Sequence, residues 1–184
     1  SMDTSAPTVD ITSVLVMASI NAFELRHKMT CDVGGAFLHT IWPKKEGRQI
    51  IELDRINASI LLQVRPDYAP YVQPNGSILM DLDRALYGLV QSARLWYDRF
   101  TGVLLKEGYT ANPADPCVWN KGTGDEQCTV LFHVDDLSCS SKSLDKLKAL
   151  ESTLIEEFGA EHIKCVYGDR QEYLGMLLQY ADSR

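Results

Sequence analysis

Three aspartates are the residues of this sequence whose type and spacing best suit chemistry: Asp32 and the adjacent pair Asp135-Asp136. Adjacent carboxylates repel each other unless they are solvated, protonated or bound to a metal. An acidic residue within an apolar strand also costs free energy unless it is paired or coordinated. Alone, each motif fits a turn or an exposed strand end equally well. Together they predict a site for a divalent cation such as Mg²⁺, which prefers a few carboxylates with water and phosphate oxygens.

Strands must bring these aspartates together. Residues 29–33 and 128–134 are apolar and predict strands, and residues 137–140 predict an antiparallel return strand. The Asp135-Asp136 pair then lies at the tip of a hairpin. We therefore expect the strand ending near Asp32 to lie beside this hairpin.

Three helices are predicted from apolar residues at helical spacing. They cover about residues 10–27, 92–107 and 144–158, and Gly108 and Gly159 end the last two. Helices and strands interleave, but the central strand pair is a hairpin. This order favours an α+β fold in which helices pack on one face of an antiparallel sheet.

The remaining segments give weaker patterns. Residues 41–77 are rich in proline and glycine and predict loops with one or two strands. Alternation predicts a strand at residues 77–83, and residues 163–166 and 173–180 predict two short final strands.

The composition constrains partners and compartment. The formal net charge of −7 argues against a free-standing nucleic-acid binder, because such proteins usually carry a basic face. No apolar run approaches the length of a membrane span, so no membrane partner is expected. The five scattered cysteines are interpreted as reduced, buried thiols of an intracellular, non-secreted protein.

Five motifs in order resemble those of copia-type (Pseudoviridae-like) LTR retrotransposon reverse transcriptases, in the palm region. They are CDVGGAFL at residues 31–38, LYGLVQSARLWY at 86–97, DPCV at 115–118, FHVDD at 132–136 and YLGM at 173–176. The resemblance implies a palm over residues 3–184, with part of the fingers at about 38–80, and fingers and thumb otherwise largely missing. Residues 1–2 are interpreted as a cloning scar. The absence of basic fingers and thumb would account for the acidity.

The resemblance assigns the catalytic and metal-binding roles to Asp32, Asp135 and Asp136. Together they would hold two Mg²⁺ (or Mn²⁺) ions, of which one activates the primer 3′-hydroxyl and the other holds the incoming triphosphate. The implied activity is RNA-directed DNA polymerisation by the parent polyprotein, with nucleic acid template-primer and deoxynucleotides as its partners.

Nucleotide-binding residues are implied at Val33, through its carbonyl, and at Phe37 and Gln91. Phe37 falls where the family has a steric gate against the ribose 2′-hydroxyl, and Gln91 where a glutamine lies against the incoming nucleotide. Without the motifs, Phe37 fits a core aromatic and Gln91 a residue that caps a helix or is simply exposed. The block around Gln91 argues against another palm-like enzyme such as a nucleotidyl cyclase.

Primer-proximal residues are implied at His133, Leu174 and Gly175. This sequence departs from the family pattern at three positions. His133 replaces the usual tyrosine, Val90 the usual lysine, and Ser92 the usual alanine. The loss of the lysine removes one phosphate contact.

The fragment alone is expected to be inactive and to bind nucleic acid weakly or not at all. An alternative is a catalytically silent or domesticated palm remnant that acts as a protein-interaction module. A cytoplasmic location, in a virus-like particle for an active element, follows from the resemblance. Exposed palm surface also predicts self-association into a homo-oligomer.

Overall fold

This computed structural model describes residues 5–180. This part of the chain contains four α-helices and ten β-strands, joined by loops and short 3-10 helices. The helices are α1 (Ile11–Phe23), α2 (Arg55–Val64), α3 (Ser92–Lys106) and α4 (Leu144–Phe158). The strands are β1 (His27–Val33), β2 (Ile50–Leu53), β3 (Ile78–Asp81), β4 (Thr110–Asn112), β5 (Asp115–Lys121), β6 (Cys128–His133), β7 (Asp136–Ser141), β8 (Ile163–Tyr167), β9 (Arg170–Tyr173) and β10 (Met176–Gln179).

Six of these strands form the central sheet in the order β4-β5-β6-β7-β1-β8, with every neighbouring pair antiparallel. The predicted hairpin of β6 and β7 is confirmed, and β1 lies directly beside β7. The mixed α and antiparallel β class is therefore confirmed as well. No helix within residues 5–180 is long and apolar enough to cross a membrane.

The larger hydrophobic core lies between one face of the sheet and helices α3 and α4. Successive strand residues point to opposite faces, so alternate positions of β6, such as Val130 and Phe132, enter this core. Trp96 and Phe100 from α3 and Phe158 from α4 complete an aromatic cluster there. Burial of these rings positions both helices against the strands.

Helix α1 lies on the opposite face, so the expectation that the helices share one face is wrong for α1. Val14 and Met17 pack there against Leu131, which points away from the larger core. Large apolar residues also lie on the exposed side of this helix, so the apolar spacing did not reveal its buried side. Leu15, for example, is 55% exposed in the structure.

Residues 41–77 contain a helix that the sequence pattern missed. Helix α2 follows Asp54, whose carboxylate accepts a hydrogen bond from the Asn57 amide at 2.8 Å. A 3-10 helix, Pro66–Tyr71, comes next, and strands β2 and β3 pair as a separate two-stranded sheet. The prediction of loops with one or two strands is therefore wrong over residues 55–64.

Two hairpins were also not predicted as such. Strands β4 and β5 form one, in a stretch interrupted by two prolines that obscured the pattern. The final predicted strand is instead the hairpin of β9 and β10, whose two-residue turn is Leu174-Gly175. Both turn residues have positive φ, 50° and 72°, as a type I′ turn requires.

A disulfide joins Cys31 on β1 to Cys165 on β8, so the expectation of five reduced thiols is wrong for this pair. The two residues are direct antiparallel partners in the sheet, which brings their sulfur atoms together. Because 134 residues separate them in sequence, their spacing gave no sign of the bond. Cys117, Cys128 and Cys139 are free and buried, as expected.

Candidate active site

The register of β1 and β7 places Asp32 directly opposite Asp136. On the other side of β7, His133 of β6 is also the partner of Asp136. Asp135 lies in the turn between β6 and β7, and its carbonyl accepts a hydrogen bond from the Val33 amide at 3.1 Å. The end of β1 is thus tied to the turn, and Asp32 lies beside the Asp135-Asp136 pair, which is distant from it in the sequence, at the same end of the central strands.

The β6–β7 turn has two residues, Val134 and Asp135, and φ is +56° at Val134. This conformation is unusual for a β-branched side chain, and the surrounding structure must hold it in place. The indole Nε1 of Trp96 donates a hydrogen bond to the Val134 carbonyl at 2.7 Å. Helix α3 therefore fixes the turn that carries Asp135.

The surroundings of the three aspartates shift the pKa of Asp136. Partial burial, followed by the nearby carboxylates of Asp135 and Asp32, raises the pKa of Asp136, and His133 acts in the opposite direction. Asp136 is exposed at the start of β7, so water still screens part of the repulsion between the carboxylates. A bound cation would relieve it.

The aspartates are not gathered around one point. Among residues 5–180, no three or more His, Cys, Asp or Glu side chains converge closely enough to hold a metal ion. One Asp135 oxygen, Oδ2, accepts a hydrogen bond from the Tyr87 hydroxyl at 3.3 Å instead. The donor set still fits a divalent cation, because it consists of carboxylates whose mutual repulsion such an ion would offset.

Tyr87 is a site residue that the sequence analysis missed. Besides donating to Asp135, its ring packs against Phe37, with 4.3 Å between centroids and a 47° tilt. Burial first, then the Asp135 carboxylate, raises the pKa of Tyr87. Its place in the LYGL motif was the available signal, since a tyrosine in an irregular segment before a helix has no evident packing role.

One of the proposed nucleotide-binding residues, Phe37, contacts this tyrosine. Phe37 is 8% exposed and belongs to the larger core, in a short 3-10 helix that begins after Gly35. Gly35 has φ of +70°, which glycine adopts without strain. Gln91 stands at the N-terminus of α3, and its side chain makes no capping hydrogen bond.

The family departure at Ser92 has a structural role. Ser92 is fully buried, and its Oγ donates to the Leu86 carbonyl at 2.6 Å and accepts from the Leu86 amide at 3.1 Å. These bonds hold the segment that contains Tyr87 on the first turn of α3. Alanine at this position could form neither bond.

The proposed primer-proximal residues do not form one group. His133 adjoins the aspartates, and its Nδ1 is buried with no hydrogen-bond partner within the described chain. Leu174 and Gly175 form the β9–β10 turn on the face that carries α1, where Leu174 packs against the smaller core. Strand β9 reaches β1 through a 2.6 Å hydrogen bond between Thr30 and Gln171.

Comparisons with known proteins show the family of the chain. The family model described as reverse transcriptase (RNA-dependent DNA polymerase) matches residues 1–183. The Retrovirus-related Pol polyprotein from transposon TNT 1-94 of Nicotiana tabacum is 30% identical over 96 residues, covering 52% of this chain and 7% of that protein. The Transposon Ty1-DR1 Gag-Pol polyprotein of Saccharomyces cerevisiae is 27% identical over 144 residues, covering 73% of this chain and 8% of its own length. The chain thus spans less than a tenth of either relative.

Proposed function

We propose that this chain, which belongs to the reverse transcriptase (RNA-dependent DNA polymerase) family in its copia-type LTR retrotransposon branch, supplies the catalytic palm of an RNA-directed DNA polymerase. The observation that supports this most strongly is the pairing of Asp32 with Asp136 beside Asp135. A turn with a purely structural role would not require a third carboxylate beside it from a strand that is distant in the sequence. The proposed reaction is nucleotidyl transfer to a primer 3′-hydroxyl.

The aspartates would act as ligands of two divalent ions. Asp32 and Asp135 would be the main ligands, with Asp136 accessory and the Val33 carbonyl adjacent. When bound, Mg²⁺ or Mn²⁺ would lower the pKa of the attacking hydroxyl and stabilise the leaving oxygen. Burial first, then the carboxylates of Asp135 and Asp32, raises the pKa of Asp136, and a bound cation would favour its ionised form.

Other residues would orient the substrates. Phe37 would exclude the ribose 2′-hydroxyl, and Gln91 would lie against the incoming nucleotide. His133 would be adjacent to the primer terminus, with Leu174 and Gly175 beneath the primer strand. Family membership supports these roles, and the role of Phe37 is further supported by its contact with Tyr87, the residue that also contacts Asp135.

Domain extent, partners and location remain part of the proposal. Residues 3–184, whose ends lie outside the described residues 5–180, would form the palm, with part of the fingers at about 38–80, where β2, α2 and β3 lie outside the main sheet. Template-primer and deoxynucleotides would bind the parent polyprotein within cytoplasmic particles. Self-association would use the exposed apolar side chains of α1, such as Val16 and Phe23.

Primer extension tests the catalytic assignment. A polymerase region extended at both ends should copy a template, and its Asp135→Asn form should lose about a hundredfold or more in activity, since a preorganised charge at the reacting centre is removed. Asp125→Asn is the matched control, because Asp125 is 82% exposed in the turn at the other end of β6. Equal activity of the parent and the Asp135→Asn form, or no activity in either, would reject the proposal.

A second function is a catalytically silent remnant that serves as a protein-interaction module. Two observations favour it: the net charge of −7, and the lack of a converged metal-binding group among residues 5–180. The same assay separates the two functions, because a remnant would remain inactive after both ends are restored.

A further inference from the structure

Tyr87 connects two parts of the proposed site that are otherwise separate. Its hydroxyl donates to Asp135 Oδ2 at 3.3 Å, and its ring packs on Phe37 at 4.3 Å between centroids. One side chain therefore contacts both the central carboxylate and the aromatic ring proposed to face the sugar.

Helix α3 holds both ends of this connection in place. Ser92, its first residue, makes two hydrogen bonds with the backbone of Leu86, the residue before Tyr87. One turn further along, Trp96 donates to the carbonyl of Val134, the residue before Asp135. Since Ser92 and Trp96 are both essentially buried, neither attachment is weakened by solvent. The Tyr87–Asp135 contact is thus set by a rigid element.

We propose that Tyr87 is a positioning residue with two separable roles. Its hydroxyl orients the Asp135 carboxylate for a divalent cation, and its ring supports Phe37 and thereby sugar discrimination. This inference rests on the proposed polymerase function. A carboxylate has about four lone-pair sites, so one hydrogen bond leaves room for a cation. Hydrogen bonds to a metal-binding carboxylate also fix its orientation and raise metal affinity.

The hydroxyl role predicts a definite sign. If the hydroxyl orients Asp135, its removal weakens cation binding. If it merely competes with the cation for Oδ2, its removal strengthens binding. The two mechanisms are therefore distinguished by one variant, Tyr87→Phe, which retains the ring. Folding should tolerate this change, because Tyr87 is 52% exposed.

Mn²⁺ affinity of the 184-residue chain, measured by electron paramagnetic resonance, tests the hydroxyl. We expect Tyr87→Phe to bind Mn²⁺ about tenfold more weakly than the parent chain. The matched control is Tyr167→Phe, since Tyr167 also donates to a carboxylate, Glu151 Oε2 at 2.6 Å, and is also exposed. That variant should keep the parent affinity. Unchanged or tighter binding by Tyr87→Phe would overturn the orienting role.

The ring is tested with the extended polymerase and two substitutions. Tyr87→Phe should keep the parent ratio of kcat/KM for deoxynucleotides over ribonucleotides, whereas Tyr87→Leu should lower that ratio about threefold to tenfold through the lost aromatic contact. Saturating Mn²⁺ should restore activity to Tyr87→Phe but should not restore discrimination to Tyr87→Leu. Equal discrimination by all three forms would overturn the ring's role.

Failure of this inference is distinguishable from failure of the proposed function. If the parent chain binds Mn²⁺ and the extended parent copies a template, but the Tyr87 variants match the parent, only the positioning roles are rejected. If the extended parent is inactive, the proposed function is rejected, and the positioning roles are rejected with it.

Discussion

The two faces of the six-stranded sheet are made of alternating residues from the same strands, yet they bury very different material. On β6, Val130 and Phe132 enter a continuous aromatic and aliphatic core beneath α3 and α4. On the opposite face Leu131 meets a smaller cluster with α1, and the sheet edge there ends in Asp32 and Asp136. The first face therefore provides most of the hydrophobic stability, and the second leaves carboxylates where a cation and substrate can reach them.

The difference also shows how the faces depend on each other. Trp96 and Ser92 belong to α3, which covers the face with the larger core. Their polar atoms nevertheless hold the Val134 turn and the segment that contains Tyr87. The aspartate site is thus positioned from the far side of the sheet. Variants of Trp96 and Ser92 would therefore affect both stability and the site, so stability alone is tested with other residues.

The largest effect is expected in the aromatic core. Phe100 is fully buried and packs against Trp96, Phe132 and Phe158, so Phe100→Ala should lower the free energy of unfolding by about 3–5 kcal/mol. Phe23→Ala is the control on α1: Phe23 is 90% exposed, and the change should stay within about 0.5 kcal/mol. Urea denaturation measures both. Similar losses for the two variants would contradict the burial of Phe100 in the aromatic core.

The disulfide is expected to contribute the next largest effect. Cys31–Cys165 closes a segment of 134 residues, so Cys165→Ser should cost about 2–4 kcal/mol by freeing the unfolded chain. A dithiol reductant should destabilise the parent chain by the same amount and leave Cys165→Ser unchanged. If the reductant has no effect on the parent, β8 is held by the sheet alone.

Alanine substitutions at two glycines, one on each face of the sheet, are expected to change stability in opposite directions. Gly175 has φ of +72° in the β9–β10 turn, so Gly175→Ala should cost about 1 kcal/mol. Gly102 lies within α3, where alanine should stabilise the protein by about 0.5–1 kcal/mol. An added Cβ meets nothing within 4 Å at either position, so only the backbone preference differs. Thermal denaturation giving shifts of the same sign would contradict the turn assignment.

The smallest effect concerns an ion-pair group that joins α3 to α4. Hydrogen bonds from Lys106, then Arg99, lower the pKa of Glu157. Its stabilisation is therefore fully present above the usual value of 4.5 and is lost as pH falls through the folded-state value. Because Lys106 is 72% exposed, Glu157→Gln should cost only about 0.5 kcal/mol at pH 7. Denaturation at pH 7 and in acid should show this difference disappearing, and a difference that grows in acid would contradict the sign.

The helices and strands with a regular apolar spacing and a clear end were predicted correctly from the sequence. Helices α3 and α4 have clear apolar stripes ended by glycines, β6 is an apolar run, and β7 alternates polar and apolar residues after a short turn, so each was found. Helix α2 was missed because its residues 60–64 are largely aliphatic and fit a strand equally well. The Asp54 cap before it was the better signal.

Features that depend on distant pairing were less accessible. The motifs predicted the meeting of Asp32 with Asp135 and Asp136, but the disulfide, the side of the sheet taken by α1 and the Tyr87 contact did not follow from any local pattern. Each is decided by which strands lie side by side and by the path of the chain between them. The convergence of the three carboxylates on a cation stays a prediction.

The most direct test of that prediction is an amide nuclear magnetic resonance spectrum of the chain during titration with Mn²⁺. The ion broadens signals close to it, so we expect the amides of Asp32, Asp135 and Asp136 to broaden first and to recover when excess Mg²⁺ displaces the Mn²⁺. In Asp135→Asn the same broadening should need a much higher Mn²⁺ concentration. Broadening that avoids these three aspartates, or that is the same in both forms, would contradict the central claim.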